Sequence, residues 1–224
     1  MKLAVQMLIW NGQDFVEKAL RSVMPYAWEV FVYDSGSTDN TMRILAGLQK
    51  EFSKLIVKQR DVQHLGQVWA GSEKDIQLTS MLNEMKFWTD ADWILKIDDD
   101  EVFPGKTMDE ITCIDGSVPI YSIPFLHFEG LSILDPAQHT NFYVARLFKN
   151  IPIIHWKGRY GREQLAYDGK TVSSHGKSKL CEKLTQPFLH LGNLRSEDRK
   201  HNYRFHEKGH CGLPIPSKYY HYVF

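Results

Sequence analysis

The chain has 224 residues, 43% of them hydrophobic and 24% charged, values typical of a globular protein that can bury a substantial core. Its 27 basic and 27 acidic residues cancel, which excludes binding of nucleic acid or an anionic membrane through overall charge. Three widely spaced cysteines without a CxxC pair favour a reducing compartment over a disulfide framework.

The N-terminal segment MKLAVQMLIWNG is apolar but short. It cannot span a bilayer, and it lacks the cleavage pattern of a signal peptide. We therefore expect a cytoplasmic protein without a transmembrane segment.

The first hundred residues alternate between predicted strands and predicted helices. Apolar and β-branched runs predict four strands, KLAVQMLIW, EVFVYD, KLIVKQR and DWILKID. Helical spacing of apolar residues predicts three helices, QDFVEKALRSVMPY, STDNTMRILAGLQKEF and SEKDIQLTSMLNEMKFW. We expect Asp14 to cap the first helix and Ser37 or Thr38 to cap the second. The series predicts an α/β fold with a mainly parallel central sheet and helices on both faces.

Beyond residue 104 the alternation stops and the sequence becomes richer in strands. Strands are predicted in VPIYSIPFLHFEG, NFYVARLFK, IPIIHW and QPFLHLGN. KGRYGREQLAYDGKTVSSHGKSK is polar and glycine-rich, which predicts a loop or hairpin, and SEDRKHNYRFHEKGH predicts a C-terminal helix. We divide the chain into two halves of a single domain, residues 1–103 and 104–224.

Two polar loops follow predicted strands. YDSGSTD comes after the second strand, and DDDE, Asp98 to Glu101, after the fourth. In open α/β sheets ligands bind beyond the carboxyl ends of the strands, so both loops are expected at one sheet edge. The four consecutive carboxylates of the second loop repel one another unless water or a positive charge compensates them.

These loops resemble those of the family 2 glycosyltransferases. VYDSGSTDNTMRIL and ADWILKIDDDEVF are similar to motifs of the branch that includes bacterial lipopolysaccharide-core glycosyltransferases. NFYVARLFKN, WKGRYGREQL and PFLHLGNLRSEDR are similar to later segments of that branch, so the resemblance covers nearly the whole chain.

The resemblance implies a GT-A (Rossmann-like) nucleotide-diphospho-sugar transferase fold. Residues 1–103 would form the α/β half that binds the nucleotide sugar, and residues 104–224 the half that binds the acceptor. The implied activity is metal-dependent transfer of a sugar from a nucleotide-diphosphate sugar to an acceptor hydroxyl, with inversion.

The resemblance also assigns the donor nucleotide to the two loops. Asp34 would bind the nucleobase, and Ser35 and Gly36 would form the tight turn beside it. Asp98 would hold the ribose or a water on the metal, with Asp99 at the variable position of the Asp-x-Asp pattern. The alternative for the first loop is that Thr38 and Asp39 only cap a helix.

A divalent cation, Mn²⁺ or Mg²⁺, is implied as cofactor because it prefers oxygen ligands and neutralises a leaving diphosphate. Asp98 and Asp100 match the metal-binding pattern of the family, and His190 is the further ligand that the resemblance implies. A solvated acidic loop and a core histidine are the alternatives.

The catalytic base is assigned to Glu163, because an inverting transferase needs a carboxylate beside the acceptor hydroxyl. Related proteins have a histidine before this glutamate, whereas this chain has Arg162. Asp168 and Glu129 are rival candidates.

Two other functions stay open at this point. A sugar-nucleotide pyrophosphorylase would need a glycine-rich basic loop after the first strand, which IWNGQDF does not provide. A catalytically degenerate protein that binds glycans or nucleotides is the second alternative. The acceptor would be a glycan, a lipid-linked saccharide or another hydroxyl compound. Modified nucleic acid is less favoured because acidic residues dilute the basic, aromatic C-terminal tail.

Overall fold

The computed structural model describes residues 1–60, 73–129, 132–134, 143–158, 163–173, 179–194 and 212–214. The predicted C-terminal helix and Arg162 lie outside these residues.

Four parallel strands form the first part of the sheet: β1 (Leu3–Ile9), β2 (Glu29–Asp34), β3 (Leu55–Gln59) and β4 (Trp93–Ile97). Their order across the sheet is β3-β2-β1-β4, and every neighbouring pair is parallel. All residues of β1 and β4 are buried, as expected for central strands covered on both faces.

The strand β1 shows how the two faces are built. Because side chains alternate along a strand, Val5 and Met7 point to one face and Ala4 and Leu8 to the other. The first pair lies in an apolar cluster with residues of the helices α1 (Val16–Val23) and α2 (Thr41–Glu51). The second pair lies in a cluster with residues of α3 (Glu73–Met85). The predicted three helices and their placement on two faces are confirmed.

The predicted helix caps are wrong. The N-cap of α1 is Phe15, and the amide of Val16 bonds to the carbonyl of Gly12 rather than to Asp14. The N-cap of α2 is Asn40. Ser37 and Thr38 do not cap α2 because they bond to other loop residues.

A fourth helix was not predicted. A 3₁₀ turn (Lys86–Trp88) follows α3, and α4 (Gly105–Thr112) follows Pro104. α4 buries Thr107, Met108 and Ile111, a pattern too short to stand out in the sequence.

Most of the strands after β4 extend the same sheet. The strands that follow β4 are β5 (Glu101–Val102), β6 (Ile120–Glu129), β7 (Ser132–Leu134), β8 (Tyr143–Lys149), β9 (Ile154–Lys157), β10 (Gln164–Tyr167), β11 (Lys170–Thr171), β12 (Cys181–Lys183), β13 (Phe188–His190) and β14 (Gly212–Pro214). β8 pairs antiparallel with both β4 and β6, and β13 pairs parallel with β6. The predicted α/β fold is confirmed, with antiparallel strands added beyond β4; the division at residue 103 stays a prediction.

The strands β9, β10 and β11 form a separate antiparallel sheet. Asp168 and Gly169 connect β10 to β11 with φ values of 48° and 71°, the left-handed geometry of a tight hairpin. The predicted hairpin is therefore confirmed. Within the described residues, no helix has both the length and the apolar character that crossing a bilayer requires.

Candidate active site

Both acidic loops open at one edge of the sheet. In the pairing of β1 with β2, Ile9 lies opposite Asp34, and in the pairing of β1 with β4, Met7 lies opposite Ile97. The chain segments that leave these three neighbouring parallel strands therefore emerge side by side. This edge is the one at which α/β sheets bind ligands, as the sequence predicts.

Asp34 organises the turn that follows β2. Its carboxylate is fully buried and accepts hydrogen bonds from the backbone amides of Gly36 (3.0 Å) and Ser37 (2.9 Å) and from the Ser37 hydroxyl. Gln59 of the neighbouring β3 donates a further bond of 3.2 Å from Nε2. Gly36 has a φ of 99°, a value that disfavours other residues. The predicted tight turn is present, and its geometry is fixed by Asp34.

Ser35 ties this turn to the first strand. Its backbone amide donates to the carbonyl of Ile9 at 2.9 Å, and its hydroxyl donates to the same oxygen at 3.1 Å. The side chain is buried. In the structure Ser35 thus fixes the turn, and the predicted contact with the donor stays a prediction.

The loop after β1 supports the same turn. Asn11, with a φ of 53°, receives the amide of Thr38 at its side-chain oxygen (2.8 Å) and donates its own amide to the Ser37 hydroxyl (2.8 Å). The side-chain oxygen of Gln13 accepts the amide of Asn40 at 2.9 Å. Sequence reasoning missed both residues, although a polar Asn-Gly-Gln run directly after a buried strand signals such a loop.

Arg146 bridges two carboxylates of the second loop. Its Nη2 lies 2.6 Å from Asp98 Oδ2 and 2.6 Å from Glu101 Oε1. Lys96, two residues before Asp98 in the chain and buried, donates to the other oxygen of Asp98. Two of the four clustered carboxylates are therefore compensated by positive charges of the chain itself. Of the two predicted forms of compensation, water or a positive charge, the second applies to this pair.

Burial and charge set the protonation of this pair. Burial acts to raise the pKa of Asp98, but the nearby charges of Arg146 and Lys96 outweigh it and hold the pKa well below its usual range. Burial raises the pKa of Glu101 to about 7, aided by the charges of Asp98 and Asp100 and opposed by Arg146. The loop therefore keeps Asp98 charged, while Glu101 is the carboxylate that more readily takes up a proton.

Asp100 lies beside β13. Its side-chain Oδ1 lies 3.9 Å from Nε2 of His190, and its backbone carbonyl accepts the amide of Leu191 at 2.8 Å. A Cβ atom on Gly192 would lie 2.7 Å from Asp100 Oδ2 and 3.0 Å from His190 Cε1. Only glycine leaves the space beside the two side chains open.

The pair of Asp100 and His190 fits a divalent cation that shares its coordination with a ligand. In the parts of the chain that the structure describes, no group of three or more His, Cys, Asp or Glu side chains is arranged to hold a metal. Mg²⁺ and similar ions are commonly held by one or two protein groups, with phosphate oxygens and water in the other positions. One carboxylate oxygen and one imidazole nitrogen match that mode, whereas Asp98 is directed at Lys96 and Arg146.

Glu163, the predicted base, lies in the electrostatic neighbourhood of the same network. Burial acts to lower the pKa of Arg146, but the charges of Asp98, Glu101 and Glu163 outweigh it and raise that pKa above its usual value. Its rival Asp168 occupies the hairpin turn between β10 and β11. Glu129 ends β6, and its side chain lies outside the described residues.

Asp99 lies against the loop that follows β1. A Cβ atom added to Gly12 would lie 2.5 Å from Asp99 Oδ2 and 2.6 Å from Ile9 Cδ1. The Gly12 amide also donates to the Thr41 hydroxyl at 2.8 Å. The loops after β1, β2 and β4 thus meet at Gly12, where an added Cβ would force the side chains of Asp99 and Ile9 to move.

We expect Gly12→Ala to lower the free energy of unfolding by about 1–3 kcal/mol, because the added methyl overpacks a closed site. Gly47→Ala is the matched control, since Gly47 lies in α2 and a Cβ there meets no atom within 4 Å. Removing a helical glycine should raise the free energy of unfolding by about 0.5–1 kcal/mol. Urea unfolding of both variants measures the two effects, and equal effects would contradict the close approach at Gly12.

The sequence profile described as Glycosyl transferase family 2 matches residues 5–73. This stretch runs from β1 to the start of α3 and includes Asp34 and its turn, but not the loop from Asp98 to Glu101. The resemblance to that family is confirmed for this stretch, and the GT-A type α/β fold is confirmed with it. The likeness to the lipopolysaccharide-core branch stays a prediction. No curated protein matches the chain.

Solved structures of glycosyltransferases are similar to part of the chain. The fragment 1–349 of Staphylococcus aureus TarS, in complex with UDP-GlcNAc, is 20% identical with a TM-score of 0.44, over 58% of this chain and 36% of that fragment. Glucosyl-3-phosphoglycerate synthase from Mycobacterium tuberculosis, with Mn²⁺ and UDP bound, is 20% identical with a TM-score of 0.40, over 57% and 44% of the two chains. The mannosyltransferase PcManGT from Pyrobaculum calidifontis, with GDP-Man and Mn²⁺, is 17% identical with a TM-score of 0.42, over 55% and 35%. This chain therefore spans less than half the length of each of these proteins.

Proposed function

We propose that this chain is a metal-dependent glycosyltransferase that moves a sugar from a nucleotide-diphosphate sugar to an acceptor hydroxyl, with inversion. The observation that carries the proposal is the meeting of two acidic loops at one sheet edge, with Asp100 of the second loop facing His190. The family match over residues 5–73 supports a nucleotide-binding role for the first loop.

The donor nucleotide occupies the sheet edge in this proposal. The turn fixed by Asp34, with Ser35 and Gly36, receives the nucleobase, and Asp98 and Asp99 line the ribose. The support for a preformed site is physical: the turn is already held by the bonds from Gly36, Ser37 and Gln59. A site ordered before binding avoids part of the entropic cost of ordering a loop around its ligand.

The diphosphate end of the donor lies toward Asp100 and His190. These two side chains hold Mn²⁺ or Mg²⁺. Asp98, which is paired with Lys96, adds a further carboxylate near the cation. A divalent cation bound there neutralises the negative charge that develops on the departing diphosphate. Arg146 keeps Asp98 and Glu101 compensated, so the carboxylates do not push the incoming anion away.

Glu163 serves as the catalytic base. The acceptor oxygen attacks the anomeric carbon, the bond from that carbon to the diphosphate oxygen breaks, and Glu163 takes the acceptor proton. A single displacement of this kind inverts the anomeric configuration and forms no covalent intermediate with the protein. The position of Glu163 within electrostatic range of Arg146 supports its assignment to this site.

We expect Glu163→Gln to slow the release of nucleoside diphosphate from the donor by about 100-fold or more, the usual contribution of general base catalysis. Binding of the nucleotide, measured by calorimetry, should be unchanged. Glu182→Gln, at an exposed position of β12, is the control and should keep full activity. Full activity of the Glu163 variant would transfer the role to Asp168 or Glu129.

The experiment that tests the function is a screen of UDP- and GDP-sugars for nucleoside diphosphate release with Mn²⁺, with and without EDTA. The proposal predicts release from at least one donor and its loss with EDTA. A pyrophosphorylase would instead consume a nucleoside triphosphate and a sugar phosphate and release pyrophosphate. Nucleotide binding without turnover of any donor or acceptor would support the degenerate binding protein.

A further inference from the structure

We propose that His127 is a positioning residue that holds the His190 imidazole with the Nε2 lone pair directed into the space beside Gly192 that it shares with the Asp100 carboxylate. This inference rests on the proposed metal site and adds a residue to it. His127 lies on β6 and is not part of either acidic loop.

The sheet places the two imidazoles together. In the parallel pairing of β13 with β6, His190 lies opposite His127. The rings stack with centroids 4.7 Å apart and an angle of 24° between their planes. Their Nδ1 atoms are 2.7 Å apart, the distance of a hydrogen bond.

A hydrogen bond between two Nδ1 atoms fixes which nitrogen of each neutral ring carries the proton. One ring donates its Nδ1 hydrogen, and the other accepts it and carries its own hydrogen on Nε2. If His190 is the donor, its Nε2 has a free lone pair that can bind a cation. If His127 is the donor, Nε2 of His190 carries a hydrogen and cannot be a ligand.

The surroundings of His190 favour the first arrangement. Its Nε2 lies 3.9 Å from Asp100 Oδ1, too far for a hydrogen bond. A hydrogen on Nε2 would therefore make no hydrogen bond to Asp100, whereas the proposed cation between Nε2 and Asp100 requires the lone pair that the first arrangement provides. The open space beside Gly192 leaves Nε2 and the Asp100 carboxylate facing the same volume.

The chemical consequence follows from how histidine ligands behave. A histidine that binds a metal through one nitrogen usually donates its other ring hydrogen to a fixed acceptor, and loss of that acceptor weakens binding by 10- to 100-fold. An imidazole acceptor is neutral, so it orients His190 without adding charge to a loop that already holds four carboxylates.

The first test reads the ring protonation directly in the metal-free protein. Long-range ¹H–¹⁵N correlation spectra of ¹⁵N-histidine-labelled protein distinguish the two neutral forms, and His190→Ala identifies the His190 signals among the ten histidines. The inference predicts that His190 is protonated on Nδ1 and His127 on Nε2. The opposite pattern would overturn it, whatever the catalytic activity of the protein.

The second test separates hydrogen bonding from packing. His127→Phe keeps a stacked ring but removes the acceptor, whereas His127→Asn loses the ring but keeps an acceptor near the Nδ1 position. We expect calorimetric titration with Mn²⁺ alone to show 10- to 100-fold weaker binding for His127→Phe and at least partial rescue for His127→Asn. His155→Phe, on β9 in the separate sheet, is the control and should bind as the unchanged protein does.

Wild-type affinity in His127→Phe would overturn the positioning role. Failure of the proposed function would look different, because His190→Ala would then bind Mn²⁺ as tightly as the unchanged protein. The two variants at positions 127 and 190 therefore distinguish a wrong positioning residue from a wrong metal site.

Discussion

Asp100→Asn should reduce metal-dependent release of nucleoside diphosphate by roughly 100- to 1,000-fold, because metal stabilisation of the leaving group contributes several kcal/mol. The variant should fold as well as the unchanged protein or better. Asp100 lies beside Asp98 and Glu101, and neutralising it removes repulsion from a loop in which the charge of Asp100 helps to raise the pKa of Glu101.

The measurement compares initial rates with Mn²⁺ and the midpoint of urea unfolding for the same preparation. Asp90→Asn is the control, since Asp90 precedes the other end of β4 and its side chain is 75% exposed. A variant at position 100 that kept its Mn²⁺-dependent activity would show that the cation binds elsewhere.

Arg146→Met should lower the free energy of unfolding by about 3 kcal/mol, the lower end of the range for breaking a buried ion pair. The substitution leaves Glu101, whose side chain is only 2% exposed, without its cation. Asp98 loses less stabilisation than Glu101, because its side chain is 34% exposed and Lys96 remains beside it. Activity should fall as well, since the carboxylates would then repel the donor diphosphate.

Arg146→Lys separates charge from geometry in this network. Lysine keeps the positive charge, but its shorter side chain ends in an ammonium group instead of a planar guanidinium, so we expect an intermediate loss of stability. Arg21→Met is the matched surface control, because Arg21 also contacts two carboxylates, Glu17 and Glu51, but with all three side chains about half exposed. If Arg146→Met lowered the free energy of unfolding no more than Arg21→Met, a structural role for the buried bridge would be contradicted.

The strands of the first half could be predicted because their signal is local. A run such as EVFVYD is bounded by polar residues, and β2 forms at Glu29–Asp34 as predicted. The meeting of both acidic loops at one edge also followed from sequence, because successive parallel strands with helical connections place their carboxyl ends together. This part of the fold depends on patterns within ten to fifteen residues.

The partners that sequence could not identify lie far apart in the chain. Arg146 is 48 residues from Asp98, and His127 is 63 residues from His190. Each pair meets only after the strands of the second half join the sheet, and no local pattern gives that register. Lys96 is different: side chains two apart on a strand share a face, so its contact with Asp98 could have been predicted from the segment DWILKID alone.

The predictions of the helix caps were wrong for a related reason. Asp14, Ser37 and Thr38 are residue types that favour N-caps, but at this edge loop contacts determine where they point. Thr38 and Ser37 bond to Asn11 of another loop, which local propensity does not reveal.

Thermal unfolding with UDP or GDP, with and without Mn²⁺, tests most directly whether this sheet edge binds a nucleoside diphosphate together with a divalent cation. A ligand at one hundred times its dissociation constant stabilises a protein by about 2.7 kcal/mol, which is roughly 5–10 °C for a chain of this size. We predict a shift with at least one of the two nucleotides that grows with Mn²⁺, and loss of the Mn²⁺-dependent part in Asp100→Asn. No shift with either nucleotide, or an Mn²⁺ effect of the same size in Asp100→Asn, would contradict the account.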